Sequence, residues 1–396
     1  MKNKMYKRIA ISEIGSIISG ATPKTSDATN YGGDIPWLTP ADLSGYTNKY
    51  IERGARNISK KGYDSCSTQI MPAGSILFSS RAPIGYVAIA ANPICTNQGF
   101  KSIVPNKNVD SEFLFYQLKF LKNQIADLGR GTTFKEISGK TLGSVEIVLP
   151  DLKEQKRIVN KIEELFSELD SAVETLKKTK EQLAVYRQSV LKEAFTQFTY
   201  KEKIKDQSKF VTSGSRGWAQ YYSDEGAGFG RITDLTRDRI VLKNDDIQYV
   251  ALPDNVEGKR SRLKPNDILV SITADLGSIA LIPKDIQEAY INQHIALVRL
   301  SNPEIAKFTA LYLKSDWGQK DLLKNKRGGG KMGLGLDDIR NTPIPVVSTD
   351  IANKIVSQIE SRLSACENIE KTVNDALIQA DAMRHSILKK AFDGEL

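Results

Sequence analysis

The chain carries an internal repeat at a separation of 197 residues. The segment RIVNKIEELFS from Arg157 resembles KIVSQIESRLS from Lys354, and RQSVLKEAF from Arg187 resembles RHSILKKAF from Arg384. Both matches have the same offset, so no insertion separates them. A continuous helix keeps such a spacing, whereas loops accept insertions. The repeat therefore predicts two copies of one long helical element.

Apolar residues recur along both copies at alternating steps of four and three, the spacing of a coiled-coil seam. The first seam comprises Ile158, Ile162, Leu165, Leu169, Ala172, Leu176, Thr179, Leu183, Tyr186 and Val190. The second comprises Ile355, Ile359, Arg362, Cys366, Ile369, Val373, Ala376, Ala380, Met383 and Ile387, with Arg362 as the one clear exception. We expect Cys366 to be a small buried apolar residue. Each helix should span roughly 45 residues, and its simplest apolar partner is the other copy.

The segments that precede the helices also repeat, but with drifting offsets. GSILFSSRAPIGYVAI from Gly74 matches NDILVSITADLGSIAL from Asn266 at an offset of 192, whereas TNQGFKSI from Thr96 matches INQHIALV from Ile291 at 195. Drifting offsets indicate compact domains with loop insertions, and both segments combine short β-rich runs with an amphipathic helix. We therefore predict an α+β protein with domains at 1–150 and 199–347 and long helices at 151–198 and 348–396.

The charge balance favours a polyanionic partner. The 396 residues include 56 Lys and Arg against 47 Asp and Glu, a formal net charge of +9. Such an excess favours nucleic-acid binding. No apolar run approaches the roughly 20 residues of a membrane span, and no signal-peptide pattern is found, so we expect a cytoplasmic protein without a membrane partner. The three cysteines are widely spaced, which fits a reducing compartment.

The local patterns that suggest catalysis are incomplete. Gly139-Lys140-Thr141 resembles the end of a phosphate-binding loop, but the first Gly of that motif should stand where Phe134 does. His294 and His385 are the only histidines, and no cluster has metal-ligand spacing. PDNVEGK from Pro253 resembles a nuclease motif in residue order, but its acidic residues lie too close together, which favours a turn. We predict that the chain itself catalyses nothing and holds no cofactor or metal.

Over nearly its full length the chain resembles the DNA-specificity subunits of type I restriction-modification systems. The similar segments are GDIPWLTPADL, PICTNQGFKSI, GTTFKEISGKTLGSVEIVLPDLKEQKRIVNKIEELF, RQSVLKEAF and RHSILKKAFDGEL. The resemblance implies two target-recognition domains, with their long helices paired as an antiparallel coiled coil of pseudo-two-fold symmetry. Each domain would read one half of a split double-stranded DNA target in the major groove. Copy two departs from the pattern where VVSTDIANKIV replaces LPDLKEQKRIV.

The resemblance also implies partner proteins. The helical spacer would fix the unread gap in the target and help to dock two methyltransferase subunits, and many such assemblies include ATP-dependent restriction subunits. S-adenosylmethionine, ATP and Mg would then belong to those partners. The main alternative is a coiled-coil scaffold without DNA sequence choice, and a further rival is an enzyme with its own methyltransferase or ATPase activity.

Twelve residues are candidates for DNA contact, because Arg and small polar side chains read base edges while Lys and Gly-rich backbone hold phosphates. The candidates in the first domain are Lys24, Thr25, Arg81, Arg130, Thr132, Thr133 and Lys135. Those in the second domain are Arg231, Thr273, Arg327, Gly329 and Lys331. A solvated surface position is the alternative for each of them. Asn97-Gln98 and Asn292-Gln293 stand at matching positions, which favours a shared structural role over base reading.

An apolar stripe extends to the end of each long helix. Its members are Val190, Leu191 and Phe195 in the first copy and Ile387, Leu388 and Phe392 in the second. The stripes either complete the coiled coil or bind a partner subunit, and the sequence leaves both interpretations open.

Overall fold

The structure is a computed structural model that describes residues 6–131, 135–237, 239–243, 247–253, 258–324, 326–327 and 332–396. It divides the chain into two units. Unit one comprises residues 1–176 and 375–396, and unit two comprises residues 177–374. Each unit therefore contains one segment of each long helix.

Unit one contains ten strands and four short or medium helices within its described residues. The strands, β1 to β10, are Arg8–Ala10, Gly15–Ser19, Tyr31–Ile35, Trp37–Leu38, Tyr50–Ile51, Ile76–Ser80, Ile84–Ala90, Cys95–Thr96, Lys101–Pro105 and Glu146–Val148. The helices, α1 to α4, are Ile11–Ile14, Lys60–Asp64, Ser111–Asp127 and Gly139–Gly143. The main sheet has the order β2-β9-β6-β7-β5, in which only the β5-β7 pair is parallel.

The first long helix, α5, is Leu152–Phe195. Unit two then has ten strands of its own in the part of the chain that the structure describes. These strands, β11 to β20, are Lys201–Lys203, Ser208–Ser213, Tyr222–Ser223, Ala227–Gly230, Gln248–Val250, Ile268–Ser271, Ile279–Leu281, Ala289–Ile291, Ile295–Leu300 and Pro343–Pro345. The helices α6 to α9 are Ile204–Gln207, Ala306–Lys314, Asp316–Leu322 and Leu336–Arg340, and the second long helix, α10, is Thr349–Phe392.

Two four-stranded sheets organise unit two. Their orders are β12-β19-β16-β17 and β13-β15-β14-β18. The central β16-β19 pair is antiparallel with Ile268 opposite Val298, and the matching β6-β9 pair of unit one has Ile76 opposite Ile103. Both pairs lie at the offsets that the repeat predicts, so the two units share the framework of their central sheets.

The predicted α+β class and both long helices are confirmed. Within unit one, Asp170 of α5 forms an ion pair with Arg384 of α10. Within unit two, Arg187 pairs with Glu370 at 2.7 Å, and Glu193 pairs with Arg362 at 2.8 Å. Because later residues of α5 meet earlier residues of α10, the paired helix segments of unit two run antiparallel.

Most of the predicted seam is buried or half-buried. Cys366 is buried, as expected, and Arg362 is accommodated by donating to the Tyr186 hydroxyl at 3.1 Å. Four seam positions differ and are exposed, namely Ala172, Tyr186, Ile369 and Met383. None of the four belongs to an apolar cluster of the described residues. A two-helix contact buries a narrower stripe than a helix packed into a domain, which explains the difference.

Candidate nucleic-acid interface

Three separate segments of unit one meet beside the main sheet. The backbones of Arg130 and Glu136 exchange two hydrogen bonds of 3.0 Å each, a reciprocal pairing that we call the hairpin of unit one. Glu136 also forms a bridge with Arg81, the residue that follows β6. The N–H of Ile137 donates to the carbonyl of Ser80 at 3.0 Å, which ties the hairpin to the strand.

Unit two repeats this arrangement with the same hydrogen bonds. Arg327 and Gly333 exchange two backbone hydrogen bonds of 3.0 and 2.8 Å, and Gly333 forms a bridge with Thr273. The N–H of Leu334 donates to the carbonyl of Ile272 at 2.9 Å. Thr273 lies 192 residues after Arg81, and Arg327 lies 197 residues after Arg130. The paired residues of unit two are therefore the repeat equivalents of those in unit one.

Residues that are directly opposite in an antiparallel pairing project their side chains to the same face. Arg130, Glu136 and Arg81 therefore form one row of side chains, which we call row one. The equivalent residues Arg327, Gly333 and Thr273 form row two. Four of the predicted DNA contacts, two in each unit, thus lie in these rows.

A strained backbone conformation occurs shortly after β6 in unit one and shortly after β16 in unit two. Ala82 has φ +47° and Ala274 has φ +52°, both in the left-handed region that non-glycine residues rarely adopt. Each such residue costs on the order of 1 kcal/mol. Both repeats thus hold an alanine in this conformation directly after the row residue, Arg81 or Thr273.

The matching asparagines have a structural role. The Asn97 side chain accepts a hydrogen bond from the N–H of Gly99 at 2.8 Å, and Asn292 accepts one from the N–H of His294 at 3.1 Å. The carbonyls of Gly99 and His294 in turn accept from the N–H groups of Ser80 and Ile272, the residues that precede Arg81 and Thr273. The structural interpretation of these asparagines is therefore confirmed.

Row one is strongly charged. The Glu136 carboxylate lies 3.5 Å from Nη1 of Arg81 and 3.7 Å from Nζ of Lys101, a residue of β9. Arg130 and Lys135 are exposed on the hairpin. The row and its neighbours thus combine several cations with a single carboxylate, and the excess of cations favours contact with a polyanion.

Row two is mainly polar. Thr273 Oγ1 lies 2.8 Å from Nδ1 of His294, and the other ring nitrogen of that histidine lies 3.0 Å from Nε2 of Gln293. Because an amide nitrogen can only donate, Nε2 of His294 accepts from Gln293, and Nδ1 then carries the ring proton and donates to Thr273. Arg327 pairs with the buried Asp338 at 3.2 Å, yet its own side chain is 80% exposed. Row two therefore offers a hydroxyl and one arginine, and its neighbours Gln293 and His294 add an amide and an imidazole.

The loop next to row two is held by a charged contact. Arg237 Nε donates to Asp275 Oδ1 at 2.6 Å, and its Nη2 donates to the carbonyl of Leu276 at 2.8 Å. The hydrogen bond from Arg237 lowers the pKa of Asp275, with a smaller contribution from Ser278. Asp275 consequently stays ionised and fixes the turn that follows Thr273.

The remaining predicted contacts are not members of the rows or lie outside the described residues. Lys24 and Thr25 are exposed in a turn whose carbonyl at Lys24 accepts from Asn30 at 3.0 Å. Arg231 is half-buried, and its N–H donates to Asp234 at 2.7 Å in a short 3-10 turn. Outside the described residues lie Thr132, Thr133, Gly329 and Lys331.

The sequence analysis did not predict Glu136, Lys101 and Asp338 as members of this region, and it assigned Gln293 a structural role. A search for cations and small polar groups passes over carboxylates, and His294 was considered only as a metal ligand. The repeat contains a signal for Glu136, which aligns with Gly333 at the 197 offset. A charged residue in one copy that is a glycine in the other marks a position where the two units differ.

The apolar stripes at the helix ends pack inside the chain. Val190, Leu191 and Phe195 belong to the core of unit two, and Ile387, Leu388 and Phe392 belong to the core of unit one. None of the six side chains is more than 9% exposed. Packing within each unit explains their burial, which supports the first interpretation, and binding of a partner subunit at these positions stays a prediction.

The Gly-Lys-Thr pattern considered for catalysis is part of a short helix. Gly139, Lys140 and Thr141 begin the short helix α4, where Ser138 accepts from the N–H of Thr141 at 3.0 Å. Residues 254–257 of the PDNVEGK segment lie outside the described residues. Among the described residues, no group of three or more His, Cys, Asp and Glu side chains could hold a metal ion. No helix in the described part of the chain is both long and apolar enough to cross a bilayer.

Comparison with known proteins identifies one family. The family described as "Type I restriction modification DNA specificity domain" matches residues 3–184 and 247–379. The type I restriction enzyme MjaIX specificity subunit of Methanocaldococcus jannaschii is 31% identical over 419 residues, covering 98% of this chain and 92% of that protein. The EcoBI specificity subunit of Escherichia coli is 26% identical over 423 residues, covering 99% and 86%.

Solved structures have the same fold. A chain from a study of complex assembly and conformational transition of the type I R-M system superposes with a TM-score of 0.75, at 18% identity and full coverage of both chains. The HsdS subunit from Thermoanaerobacter tengcongensis superposes with a TM-score of 0.58 at 18% identity, covering 99% of this chain and 97% of that one. Together with the family match and the relatives of similar length, these findings confirm the resemblance read from the sequence. The chain belongs to the DNA-specificity subunits of type I restriction-modification systems, which are non-catalytic DNA-recognition subunits.

Proposed function

We propose that this chain recognises a bipartite and asymmetric DNA target, with each unit reading one half of it. The observation that carries the proposal is the pair of rows. Their backbones form the same hydrogen bonds, whereas two of the three row positions differ, with Arg81 and Glu136 in row one against Thr273 and Gly333 in row two. A common framework that presents different side chains is suited to reading two different half-sites.

The chemistry of the rows supports base reading. Arginine makes bidentate hydrogen bonds to O6 and N7 of guanine, and threonine contacts several base edges. Row one offers two arginines, whereas row two offers one arginine and a hydroxyl. The half-sites should therefore differ in sequence, and the half that unit one reads should be the richer in guanine contacts.

The second part of the proposal concerns partners. The chain would position two methyltransferase subunits on the target, and in many assemblies of this class restriction subunits as well. S-adenosylmethionine, ATP and Mg would be bound by those subunits, where the methyl transfer and the ATP-driven steps take place. The support is the family membership, because a non-catalytic subunit acts through the enzymes that it carries.

Selection from a pool of random DNA duplexes tests the proposal. The full chain, in complex with its methyltransferase subunit, is used to enrich bound duplexes, which are then sequenced. We expect two short fixed blocks of different sequence, separated by a gap of constant length. Enrichment of a single block, or of two identical blocks, would contradict the asymmetric target.

The same experiment examines the rival function, a scaffold without sequence choice. A scaffold would retain duplexes through charge alone, which is independent of sequence and falls steeply with salt. No sequence would then be enriched at any salt concentration.

A further inference from the structure

Glu136 is a carboxylate on a surface that is otherwise suited to bind a polyanion. It occupies the centre of row one between Arg81 and Arg130, and its side chain is 39% exposed. A carboxylate near DNA phosphates is repelled unless nearby cations compensate its charge. Its presence in this row therefore calls for a specific reason.

The cations around Glu136 approach from two directions. Lys101 extends from strand β9 of the main sheet, and its side chain is only 13% exposed, whereas Arg81 is 35% exposed. Lys101 thus compensates the carboxylate from the sheet, and Arg81 contacts it from the more open side. At 3.5 Å the Glu136 contact uses one end of the Arg81 guanidinium, whose other N–H groups can still donate to a base.

The three charged residues disappear together in unit two. Thr273 replaces Arg81, Gly333 replaces Glu136, and Ala296 stands at the position equivalent to Lys101. A half-exposed ion pair contributes little to stability. Joint loss of the group therefore indicates a shared task rather than a contribution to folding that both units need.

We propose that Glu136 is a positioning residue for base reading, which holds the Arg81 guanidinium so that it reads a guanine in the half-site of unit one. The inference rests on the proposed function. Arginine reads guanine only when its planar fork faces O6 and N7, and a flexible side chain loses entropy on being fixed there. An arginine that a carboxylate already orients loses less entropy when it binds the base.

The test measures base preference position by position, using the full chain with its methyltransferase subunit and duplexes that vary one base at a time. Arg81→Ala should reduce the preference for guanine at one position by about 5- to 150-fold. Glu136→Ala should reduce it at the same position by about three- to tenfold, and the double variant should be no worse than Arg81→Ala, because both residues act through one contact.

Two further variants serve as controls. Glu136→Gln keeps the shape of the side chain but removes its charge, and it should fall between the native chain and Glu136→Ala. Gly333→Ala changes the equivalent position of row two, where a Cβ atom would meet the carbonyl of Ile272 at an ordinary 3.6 Å. It should leave the half-site of unit one unchanged. Thermal unfolding of each variant verifies that it folds.

Four results would overturn the inference. Glu136→Ala could weaken binding to all duplexes alike, which indicates a structural role, or strengthen it to all alike, which indicates simple repulsion. It could also relax a different position from Arg81→Ala, in which case the carboxylate reads a base itself. If the native chain distinguishes no sequences, the proposed function fails; if it does and Glu136→Ala distinguishes them equally well, only this inference fails.

Discussion

Row one and row two have the same backbone hydrogen bonds and different side chains. Arg81 and Thr273 are each followed by an alanine in the left-handed region, and both pair with a hairpin closed by two reciprocal hydrogen bonds. The hairpin residue at the centre of the row is Glu136 in one unit and Gly333 in the other. The repeat thus preserves the backbone frame, while the side chains that the frame presents differ between the two units.

The largest expected effect is on the free energy of unfolding, and it concerns the ends of the two long helices, which should be equivalent. Phe195 packs against Phe308 and Tyr312 at centroid distances of 5.3 and 5.4 Å, and Phe392 packs against Phe113 and Phe120, each at 5.6 Å. Phe195→Ala and Phe392→Ala should each lower the free energy of unfolding by about 3–5 kcal/mol.

Hydrogen exchange should show the loss of protection mainly in unit two for Phe195→Ala and in unit one for Phe392→Ala. A variant that keeps its stability but no longer binds the methyltransferase subunit would instead assign that helix end to partner docking.

A smaller effect on stability should distinguish unit two from unit one at a matching position of their main sheets. In unit two, the carboxylate of Asp267 is 1% exposed and accepts from Arg299 at 2.6 and 2.7 Å, whereas unit one has the neutral Ser75 at the matching position. Asp267→Ala should cost about 3 kcal/mol, because it leaves the charge of Arg299 half-buried without its partner.

Ser75→Ala is the matched variant for that comparison. The Ser75 hydroxyl donates one neutral hydrogen bond to the carbonyl of Pro72 at 2.7 Å, so its removal should cost only about 1 kcal/mol. Chemical denaturation of both variants measures the two losses of unfolding free energy. Equal losses would contradict the prediction, because they would show that Arg299 is not destabilised by the loss of its carboxylate partner.

Substitution of a base-reading residue and of a phosphate-contacting residue should change DNA binding in different ways. Arg327→Ala in row two should reduce discrimination at one target position by about 1–3 kcal/mol. Lys135→Ala, on the hairpin of unit one, should weaken all sequences alike and lower the slope of log affinity against log salt by about 0.9. Titrations of cognate and altered duplexes at several salt concentrations measure both, and identical behaviour of the two variants would contradict the division of roles.

The smallest effect concerns the turn that carries Lys24 and Thr25. Hydrogen bonds from Thr29 and then from Lys61 lower the pKa of Asp27 from 3.8 to about 2. Because the folded state favours the ionised carboxyl, the resulting stabilisation is complete above the usual pKa and is lost as the pH falls through about 2.

Thr29→Ala should raise the pKa of Asp27 towards 3.8 by more than Lys61→Ala does, since the hydroxyl is the larger cause. NMR titration of labelled aspartate carboxyls gives both values, and the reverse order would contradict the assignment. In unit two the corresponding experiment is Arg237→Ala, which should raise the pKa of Asp275.

Much of the fold could be predicted because the repeat constrains it directly. A fixed offset of 197 over both helical matches requires an uninterrupted element, and the apolar spacing indicates which positions are buried, including Cys366. The spacing could not reveal that Tyr186 and Ile369 are exposed. Burial of a seam position depends on how many elements pack against it, and that number is a property of the folded chain.

The site was only partly predictable. Arg81, Arg130, Thr273 and Arg327 were selected by residue type, and the structure brings each pair into one row. Glu136 was missed because its contact with Arg81 joins residues far apart in the chain, and no local pattern encodes such a pairing. The helix-end stripes were recognisable as apolar, but their sequence does not indicate whether the same chain or a partner covers them.

A genome-wide map of methylated bases tests the central claim most directly. A host without such a system expresses the cognate methyltransferase subunit alone, with the native chain, or with the Arg81→Ala or Arg327→Ala variant. We predict a split motif of two different halves with a constant gap, methylated only when the chain is present; Arg81→Ala should relax one half and Arg327→Ala the other. Methylation that is unchanged by the chain, or relaxation of the same half by both variants, would contradict the account.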